Sequence, residues 1–342
     1  MILKIPKKLQ RWSKVAIVSS SWWWPWTIPN RYNNWIKQLK EQFWVEIIEM
    51  ENAKKDPEFV YNNPKKRAED LMNAFLDPNI DAIFSSIWWD DSIRILPYID
   101  FDIIKNNPKI YMGYSDSTIT NFICYKAWIR SYYWPSIMAW FGENWWMFEY
   151  MIESVEKTLF SNEIIWEIKP NTSWWTNEFL DWWNPKNLNI KRKLNPNTWW
   201  RFIQWGWIVE WELLWWCVDV FYFMWWTEIW PDKDEWKWKI LFIETSEENI
   251  SEDNFERILR TMWIQWILEN LNWIIVGRAQ NEKNYDNSLL KIINWEFWLY
   301  NLPIITNMDF GHTDPVFVLP IWAKMTLDFD NKKVFINESW VL

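Results

Sequence analysis

The first half of the chain alternates short apolar runs with amphipathic stretches, a pattern typical of βαβ units around a largely parallel sheet. Helical spacing is clearest in residues 64–76, where Ala68, Leu71, Met72 and Phe75 fall on one face. The strands predicted in this half cover residues 15–18, 45–48, 82–84 and 110–112. The helices predicted here cover residues 28–42, 64–76, 92–99 and 119–127. The pattern therefore predicts a doubly wound α/β domain with a mainly parallel sheet, in which sites form at the carboxyl ends of strands.

The pattern changes between residues 150 and 204, where polar residues, prolines and paired tryptophans dominate. Beyond this segment, apolar runs and helical spacing alternate again. The strands predicted in the second half cover residues 239–243, 273–276, 304–307 and 323–328, and the helices cover 251–270 and 288–298. We therefore predict an N-terminal α/β domain over 13–149, a connecting segment with long loops over 150–204, and a smaller mixed α/β C-terminal domain over 205–330.

Tryptophan and glycine occur in very unusual numbers, 38 and 5 in 342 residues. Ordinary usage near 7% predicts about 24 glycines in a chain of this length. Turns and helix C-caps need residues that tolerate a left-handed backbone, which is the usual role of glycine. We hypothesise that most of these tryptophans are encoded by UGA codons, which some bacteria read as glycine, so that the natural protein has glycine there.

The hypothesis makes a distinction among the tryptophans. Trp88 and Trp89 follow an apolar strand where glycines commonly make the turn, so both are assigned to recoded glycine. The tryptophans that we expect to be genuine lie among aromatic or charged neighbours: Trp175, Trp182, Trp200 and Trp230.

Charge and the remaining composition exclude several classes of protein. A formal charge of −9 and a pI near 5.0 argue against a nucleic-acid-binding face. The apolar stretch 15–18 is too short for a signal-peptide core, and no apolar run reaches the length of a membrane span. Cys124 and Cys217 are far apart in apolar contexts, which predicts buried thiols. A cytoplasmic protein is therefore expected.

A serine stands in a turn between an apolar strand and a helical stretch, in the motif Gly113-Tyr114-Ser115-Asp116-Ser117. Such a turn exposes a hydroxyl at the end of a sheet and points helix N–H groups towards an oxyanion formed beside it. This is the arrangement of a nucleophile elbow, without its GxSxG sequence. A plain helix-capping serine is the alternative.

The chain has one histidine, His312, in a polar loop after an apolar run. A serine nucleophile needs a base of nearly neutral pKa, and here only His312 can supply an imidazole. A surface loop histidine is the alternative. A carboxylate must also orient the imidazole. Glu244 at the end of a predicted strand and Asp309 close to His312 both remain candidates, whereas Glu247 and Glu248 are interpreted as solvated acids.

Several segments together resemble the LD-carboxypeptidase family of serine peptidases, which includes microcin-C immunity peptidases. These segments, with tryptophan taken as glycine in loops, are 82–91, 113–118, 133–135, 141–143, 240–248, 274–280 and 307–315. The resemblance covers roughly residues 13–330 and implies Ser115 as the nucleophile, His312 as the general base and Glu244 as its orienting acid.

The resemblance also implies further parts of the site. It implies an oxyanion hole made by the backbone N–H groups of Asp116 and of a glycine at the position of Trp89. A literal tryptophan there would crowd the acyl pocket. Resemblance to the immunity-peptidase branch implies that aromatic loop residues hold the substrate. The residues predicted to do so are Trp88, Trp175, Trp182 and Trp200.

The function expected from these observations is hydrolysis of an amide bond by a serine carboxypeptidase or amidase. Its substrate is either a cell-wall tetrapeptide, cut before the terminal D-alanine, or a peptidyl-nucleotide antibiotic. No metal or organic cofactor is expected, because one histidine and two distant cysteines do not supply a transition-metal site. The resemblance implies a homodimer. A non-catalytic small-molecule-binding protein on the same fold is the alternative.

Overall fold

The computed structural model describes residues 3–87, 90–164, 167–206, 208–248, 250–280 and 282–342. Its strands are β1 (Lys14–Val18), β2 (Glu46–Glu49), β3 (Ala82–Ser85), β4 (Ile110–Gly113), β5 (Tyr132–Tyr133), β6 (Trp174–Trp175), β7 (Asn195–Pro196), β8 (Arg201–Gln204), β9 (Val209–Cys217), β10 (Ile240–Glu244), β11 (Trp273–Gly277), β12 (Ile304–Met308), β13 (Leu319–Pro320), β14 (Lys324–Asp328) and β15 (Lys333–Ile336).

The α-helices are α1 (Trp24–Thr27), α2 (Pro29–Phe43), α3 (Pro57–Asn62), α4 (Pro64–Leu76), α5 (Phe101–Asn106), α6 (Thr118–Lys126), α7 (Glu149–Val155), α8 (Phe221–Met224), α9 (Glu252–Ile264) and α10 (Asp286–Leu290). Short 3₁₀ helices cover Ser92–Tyr98, Ser115–Ser117, Pro185–Asn189, Val218–Val220, Lys233–Trp236 and Leu268–Asn270. Wider π-helical turns cover Ile137–Phe141, Glu156–Phe160 and Lys291–Glu296.

The first sheet has the strand order β13-β5-β4-β3-β1-β2, and every pair except β13 with β5 is parallel. Because β1 pairs with both β2 and β3, the order reverses between β1 and β3, where crevices form at strand ends. The strands predicted in this half are all present, and α4 has the predicted bounds. Its side chains Ala68, Leu71 and Phe75 are fully buried, as the apolar periodicity predicted.

The second sheet has the order β15-β14-β9-β10-β11-β12-β8. Its centre, β9 to β12, is parallel, and β14 and β8 flank it in antiparallel directions. The predicted helix over 251–270 is shorter, because α9 ends at Ile264 and a separate turn follows. β8 lies at the end of the predicted connecting segment, and the proposed domain boundaries stay a prediction. The predicted class, a doubly wound parallel-sheet unit with a mixed α/β unit, is confirmed.

Tryptophans occupy backbone positions that ordinarily require glycine. Of the fourteen non-glycine residues with positive φ in the described part of the chain, ten are tryptophan. Trp44 is an example: with φ of 55° it caps the end of α2 and donates its N–H to the carbonyl of Lys40. None of the four tryptophans expected to be genuine is among the ten. The backbone therefore supports the hypothesis of recoded glycine.

Within the described residues, no helix is both long enough and apolar enough to span a lipid bilayer.

Candidate active site

Three loops at the carboxyl ends of strands bring Ser115, Glu244 and His312 together. Ser115 follows β4, Glu244 is the last residue of β10, and His312 lies in the loop after β12. The Nε2 atom of His312 lies 3.2 Å from the Oγ of Ser115, and its Nδ1 atom lies 2.6 Å from the Oε2 of Glu244. Residues separated by 197 positions thus form one hydrogen-bonded chain.

Ser115 has an unusual backbone conformation, with φ of 55° in the left-handed region. Such strain in a residue with a side chain is typical of functional sites, where the surrounding structure enforces it. Gly113 permits the tight turn, because a Cβ at this position would lie 2.7 Å from the Cβ of Ser117. Ser115 is 5% exposed, so its hydroxyl lies in a sheltered position at the end of the sheet.

The Asp116 carboxylate anchors this turn from below. Its Oδ2 atom accepts hydrogen bonds from the Oγ of Ser21, after β1, and from the backbone N–H of Ser92, the latter at 2.9 Å. Ser92 also donates its hydroxyl to the Asp116 carbonyl at 2.8 Å. Burial raises the pKa of the Asp116 carboxyl, and the hydrogen bonds from Ser21 and Ser92 oppose that rise. The backbone N–H of Asp116 belongs to the turn that leads into α6. Its predicted oxyanion partner Trp89 and the predicted substrate-binding residue Trp88 lie outside the described residues.

A tyrosine that the motif analysis did not select links two parts of the site. The Tyr133 hydroxyl donates to the Oε1 of Glu244 at 2.8 Å and accepts from the backbone N–H of Ser115, also at 2.8 Å. Tyr133 is fully buried at the end of β5. Burial, and to a lesser extent the negative charge of Glu244, raises the pKa of Tyr133 well above its ordinary value. The hydroxyl therefore keeps its proton and can donate it in a hydrogen bond. In the sequence, the only indication of Tyr133 was that it lies in segment 133–135, one of the segments that carry the family resemblance.

Asp309, the competing candidate for the orienting acid, is engaged elsewhere. Its Oδ1 accepts from Arg278 at 2.8 Å, and its Oδ2 accepts from the indole N–H of Trp200 at 2.9 Å. The adjacent Gly311 has φ of 115°, so the chain turns between Asp309 and His312 and carries the imidazole towards Glu244. Of the two candidates, Glu244 is therefore the one whose carboxylate contacts the imidazole.

Glu247 lies beside the imidazole, which differs from its interpretation as a solvated acid. Its side chain is 46% exposed, yet its Oε2 lies 3.4 Å from the Nε2 of His312. Burial lowers the pKa of His312, but the carboxylates of Glu244 and Glu247 outweigh burial and raise the pKa to about 9. The two carboxylates thus favour the protonated form of the imidazole.

A cavity of about 400 Å³ opens beside His312 and is lined partly by aromatic side chains. Trp182 lines it, with the Arg31 guanidinium 4.1 Å from its ring centroid. Arg192, from the predicted connecting segment, also lines it and binds Asp314, two residues after His312, at 2.5 Å. The predicted substrate-binding residue Trp182 therefore lines the same cavity as His312.

Trp175 and Trp200 are not among the residues that line this cavity. Trp175 lines a separate cavity of about 210 Å³, where Arg278 lies 5.6 Å from its ring centroid. Trp200 is 7% exposed and holds Asp309 through its indole N–H. The structure thus places Trp200 behind the His312 loop, where it supports that loop and lines neither cavity.

Cys217 completes a group with Glu244 and His312 whose ligand atoms lie within 4.8 Å of one another. Such a set has the composition of a metal site. Burial raises the pKa of the Cys217 thiol well above its ordinary value, followed by the field of Glu244. In the protein without a bound ion, this environment therefore favours the neutral thiol of Cys217.

Known proteins share both the sequence features and the fold. Residues 15–133 match the LD-carboxypeptidase N-terminal domain, and residues 214–327 match the LD-carboxypeptidase C-terminal domain. The microcin C7 self-immunity protein MccF of Escherichia coli is 28% identical over 284 residues, which are 81% of this chain and 79% of MccF.

Two solved structures are similar over nearly the whole length. An MccF-like protein from Streptococcus pneumoniae, in complex with AMP, has a TM-score of 0.86 and 27% identity, covering 95% of this chain and 99% of that protein. MccF in complex with aspartyl sulfamoyl adenosine has a TM-score of 0.86 and 25% identity, covering 99% of this chain and all of that chain. The two domain matches and these relatives show that the chain is a serine-peptidase-like hydrolase that belongs to the LD-carboxypeptidase family.

Proposed function

We propose that the chain hydrolyses an amide bond through a Ser115–His312–Glu244 triad. The observation that carries this proposal is the continuous hydrogen-bonded chain from the Ser115 hydroxyl through His312 to Glu244. The left-handed backbone of Ser115 supports it, since a plain helix-capping serine has no need of that strain.

The roles follow from the geometry of the three side chains. Neutral His312 accepts the hydroxyl proton of Ser115 at Nε2 while the Oγ attacks the substrate carbonyl carbon. Glu244 accepts a hydrogen bond from the Nδ1–H of His312, which fixes the tautomer and stabilises the imidazolium that forms. The imidazolium returns its proton to the leaving amine, the carbon–nitrogen bond breaks, and water then hydrolyses the acyl-enzyme by the reverse sequence.

The developing oxyanion needs donors beside Ser115. The backbone N–H of Asp116 lies in the turn that opens α6, where helix N–H groups and the helix dipole favour negative charge. The N–H of Ser115 itself is already bound to the Tyr133 hydroxyl. We therefore assign the Asp116 N–H as one oxyanion donor, and residue 89 as the second by family resemblance.

Two substrate classes fit this reaction. The similarity to proteins solved with AMP and with aspartyl sulfamoyl adenosine supports a peptidyl-nucleotide substrate, whose base would contact the Trp182 side of the cavity. The carboxypeptidase family supports a cell-wall tetrapeptide cut before its terminal D-alanine. The homodimer and the cytoplasmic location stay predictions.

A fluorophosphonate probe tests the proposal, because it forms a covalent bond only with an activated serine. We expect stoichiometric labelling of the chain, mapped by peptide mass spectrometry to Ser115, and no labelling of the Ser115→Ala variant. Ser117→Ala, which removes a neighbouring hydroxyl, is the control and should keep the label. A folded protein that is not labelled would support the alternative of a non-catalytic binding protein.

Removing the Tyr133 hydroxyl should lower kcat by a larger factor than it weakens substrate binding. A hydrogen bond to a charged group contributes about 1.5–3 kcal/mol, so we expect Tyr133→Phe to lower kcat by roughly 10- to 100-fold. Since Glu244 then has one donor fewer, its charge acts more strongly on His312 and raises the pKa of the imidazole. His312 works as a base only when it is deprotonated, so the activity of the wild type falls as the pH is lowered below about 9. In the variant, the same fall begins at a higher pH.

The measurement is the pH profile of kcat/KM for both proteins. Tyr132→Phe is the matched control, because Tyr132 is the neighbouring buried tyrosine of β5 and its hydroxyl donates to the Trp340 carbonyl at 2.5 Å, outside the site. A profile displaced equally in both variants would show that Tyr133 acts only through general stability.

A further inference from the structure

The cavity of about 210 Å³ that Trp175 lines, which we name the Trp175 cavity, is distinct from the candidate active site. Residues 276–278 line it where β11 ends, and Thr306 and Asn307 line it near the end of the neighbouring parallel strand β12. No member of the proposed triad lines it. Open α/β sheets bind ligands at the carboxyl ends of their strands. The Trp175 cavity therefore lies at a position where this class of fold forms sites.

Two residues that line the Trp175 cavity have the left-handed backbone that also marks Ser115. Of the four described residues with positive φ that are neither glycine nor tryptophan, one is Ser115 and two, Glu282 and Asn307, line this cavity with φ of 60° each. The Asn307 amide donates to the carbonyls of Thr198 and Trp199 at 3.1 and 3.0 Å, so neighbouring backbone holds it in this conformation. Enforced backbone strain of this kind is typical of functional sites.

Arg278 brings a buried positive charge to the Trp175 cavity. Its side chain is 4% exposed, and its Nη2 atom donates to Asn197 Oδ1 and Asp309 Oδ1, both at 2.8 Å. Its buried Nε and Nη1 atoms have no hydrogen-bond partner among the residues that the structure describes. Buried donors without a partner are unfavourable, and an acceptor supplied by a ligand would remove that cost. Arg278 thus has donors to offer to a bound molecule.

The other polar groups that line the Trp175 cavity also favour an acceptor. Both oxygens of the Asp286 carboxylate are bound by Arg201, at 2.7 and 3.2 Å. Glu282 is exposed, and solvent weakens the field of an exposed charge. Lys283 adds a further cation to the walls, and the buried Oγ1 of Thr306 has no partner within the described part of the chain. The cavity therefore suits a ligand that is rich in negatively charged oxygens.

We propose that the Trp175 cavity binds a small anion whose carboxylate or phosphate oxygens accept hydrogen bonds from the guanidinium of Arg278 and the hydroxyl of Thr306. Guanidinium groups bind these two kinds of oxygen through short, charge-assisted hydrogen bonds. The cavity is smaller than the 300 Å³ or so at which sites for drug-sized molecules begin, so the ligand is small. This anion site does not depend on the proposed amide hydrolysis.

The experiment titrates the protein with three probes at constant ionic strength and measures binding by calorimetry. Inorganic phosphate and propionate represent the two sources of anionic oxygens. Propionamide has nearly the shape of propionate but no charge, so it separates charge recognition from the filling of a cavity. We expect saturable binding of one anion per chain, with an affinity at least tenfold above that of propionamide.

Two variants test whether the anion binds in the Trp175 cavity. Ala279 lines the cavity next to Arg278, so Ala279→Leu fills part of the space and keeps the Arg278–Asp309 ion pair. Arg278→Gln combined with Asp309→Asn removes the guanidinium without leaving a buried carboxylate unpaired. We expect each variant to lower the affinity for the anion at least tenfold. Thermal unfolding checks that both variants are folded, and Ala279→Leu decides the matter if the double variant is not.

Two control variants should bind the anion as the wild type does. Arg260→Gln removes an arginine of α9 that pairs with Glu296 at 2.6 Å and does not line the cavity. Ser115→Ala changes the candidate active site, which is separate from the Trp175 cavity, so its affinity should be unchanged whether or not Ser115 is a nucleophile.

The outcomes decide both the site and the source of its ligand. Binding of phosphate alone would support a phosphorylated ligand, and binding of propionate alone would support a carboxylate. Binding of neither anion, equal binding of propionate and propionamide, or full affinity in a folded Ala279→Leu variant would overturn the proposal. Loss of binding in Ser115→Ala would overturn it as well, because the anion would then occupy the candidate active site.

Discussion

Replacing Ser115 with alanine should lower kcat/KM by roughly 10⁴- to 10⁶-fold, the range expected when a serine nucleophile is removed from a working triad. The loss is large because the Oγ of Ser115 forms the bond to the substrate, and its neighbour His312 then has no proton to transfer. The measurement is the rate of product release from the same substrate, compared between the variant and the wild type at the same pH.

The triad also predicts that the effects of its members do not add. Ser115→Ala combined with His312→Ala should be no slower than either single variant, because each change alone already stops the shared proton transfer. Asp309→Asn serves as a comparison, since Asp309 binds Arg278 and Trp200 and has no place in the transfer. Multiplicative losses in the double variant would contradict a single catalytic unit of Ser115 and His312.

Replacing exposed tryptophans of positive φ with glycine should stabilise the protein. Trp226, Trp238 and Trp298 have φ of 69°, 65° and 55° and are 94%, 60% and 70% exposed. A left-handed backbone costs a residue with a Cβ about 1–2 kcal/mol, and a substitution to glycine removes this cost. The greater freedom of glycine in the unfolded chain offsets part of the resulting stabilisation. We expect the free energy of unfolding to rise by about 0.5–1 kcal/mol per substitution, measured by denaturant titration.

Trp295→Gly is the matched control for this prediction. Trp295 is 76% exposed but lies inside the helical turn Lys291–Glu296, with no positive φ. Glycine in a helix interior is unfavourable, so we expect this variant to lose about 0.5 kcal/mol. A change of the same sign at all four positions would contradict the backbone argument. UGG codons at these positions in the gene would contradict the recoding hypothesis itself.

The fold was largely predictable wherever the apolar spacing was regular. α4 was predicted with its observed bounds because its buried positions recur with helical periodicity. The nine-residue strand β9 was not predicted, although it lies at the centre of the second sheet. Apolar and charged residues alternate only over its first five positions, 209–213, and the apolar run with paired tryptophans that follows has no period of two, so the strand was not distinguished from the neighbouring loops.

The candidate site was predictable in part for a related reason. Ser115 lies at a strand-to-helix junction that is visible in the sequence, and His312 is the only imidazole. The orienting acid was not decided by spacing, because Glu244 and Asp309 both lie in suitable loops. Family resemblance implied Glu244, and in the structure Asp309, the nearer residue in sequence, pairs with Arg278.

The sequence by itself determined the class of fold, because apolar periodicity is a local feature. A strand-to-helix motif and a single histidine made Ser115 and His312 candidates for nucleophile and base, and family resemblance implied those roles. Only the tertiary structure showed that Glu244 contacts the His312 imidazole, that Tyr133 bridges Ser115 and Glu244, and that Glu247 and Glu248 line an acidic cavity at Ser115. Glu244 lies 68 positions from His312 and 111 positions from Tyr133 in the sequence. These contacts depend on which strand ends lie next to each other in the folded protein. A local pattern of residues does not specify that arrangement.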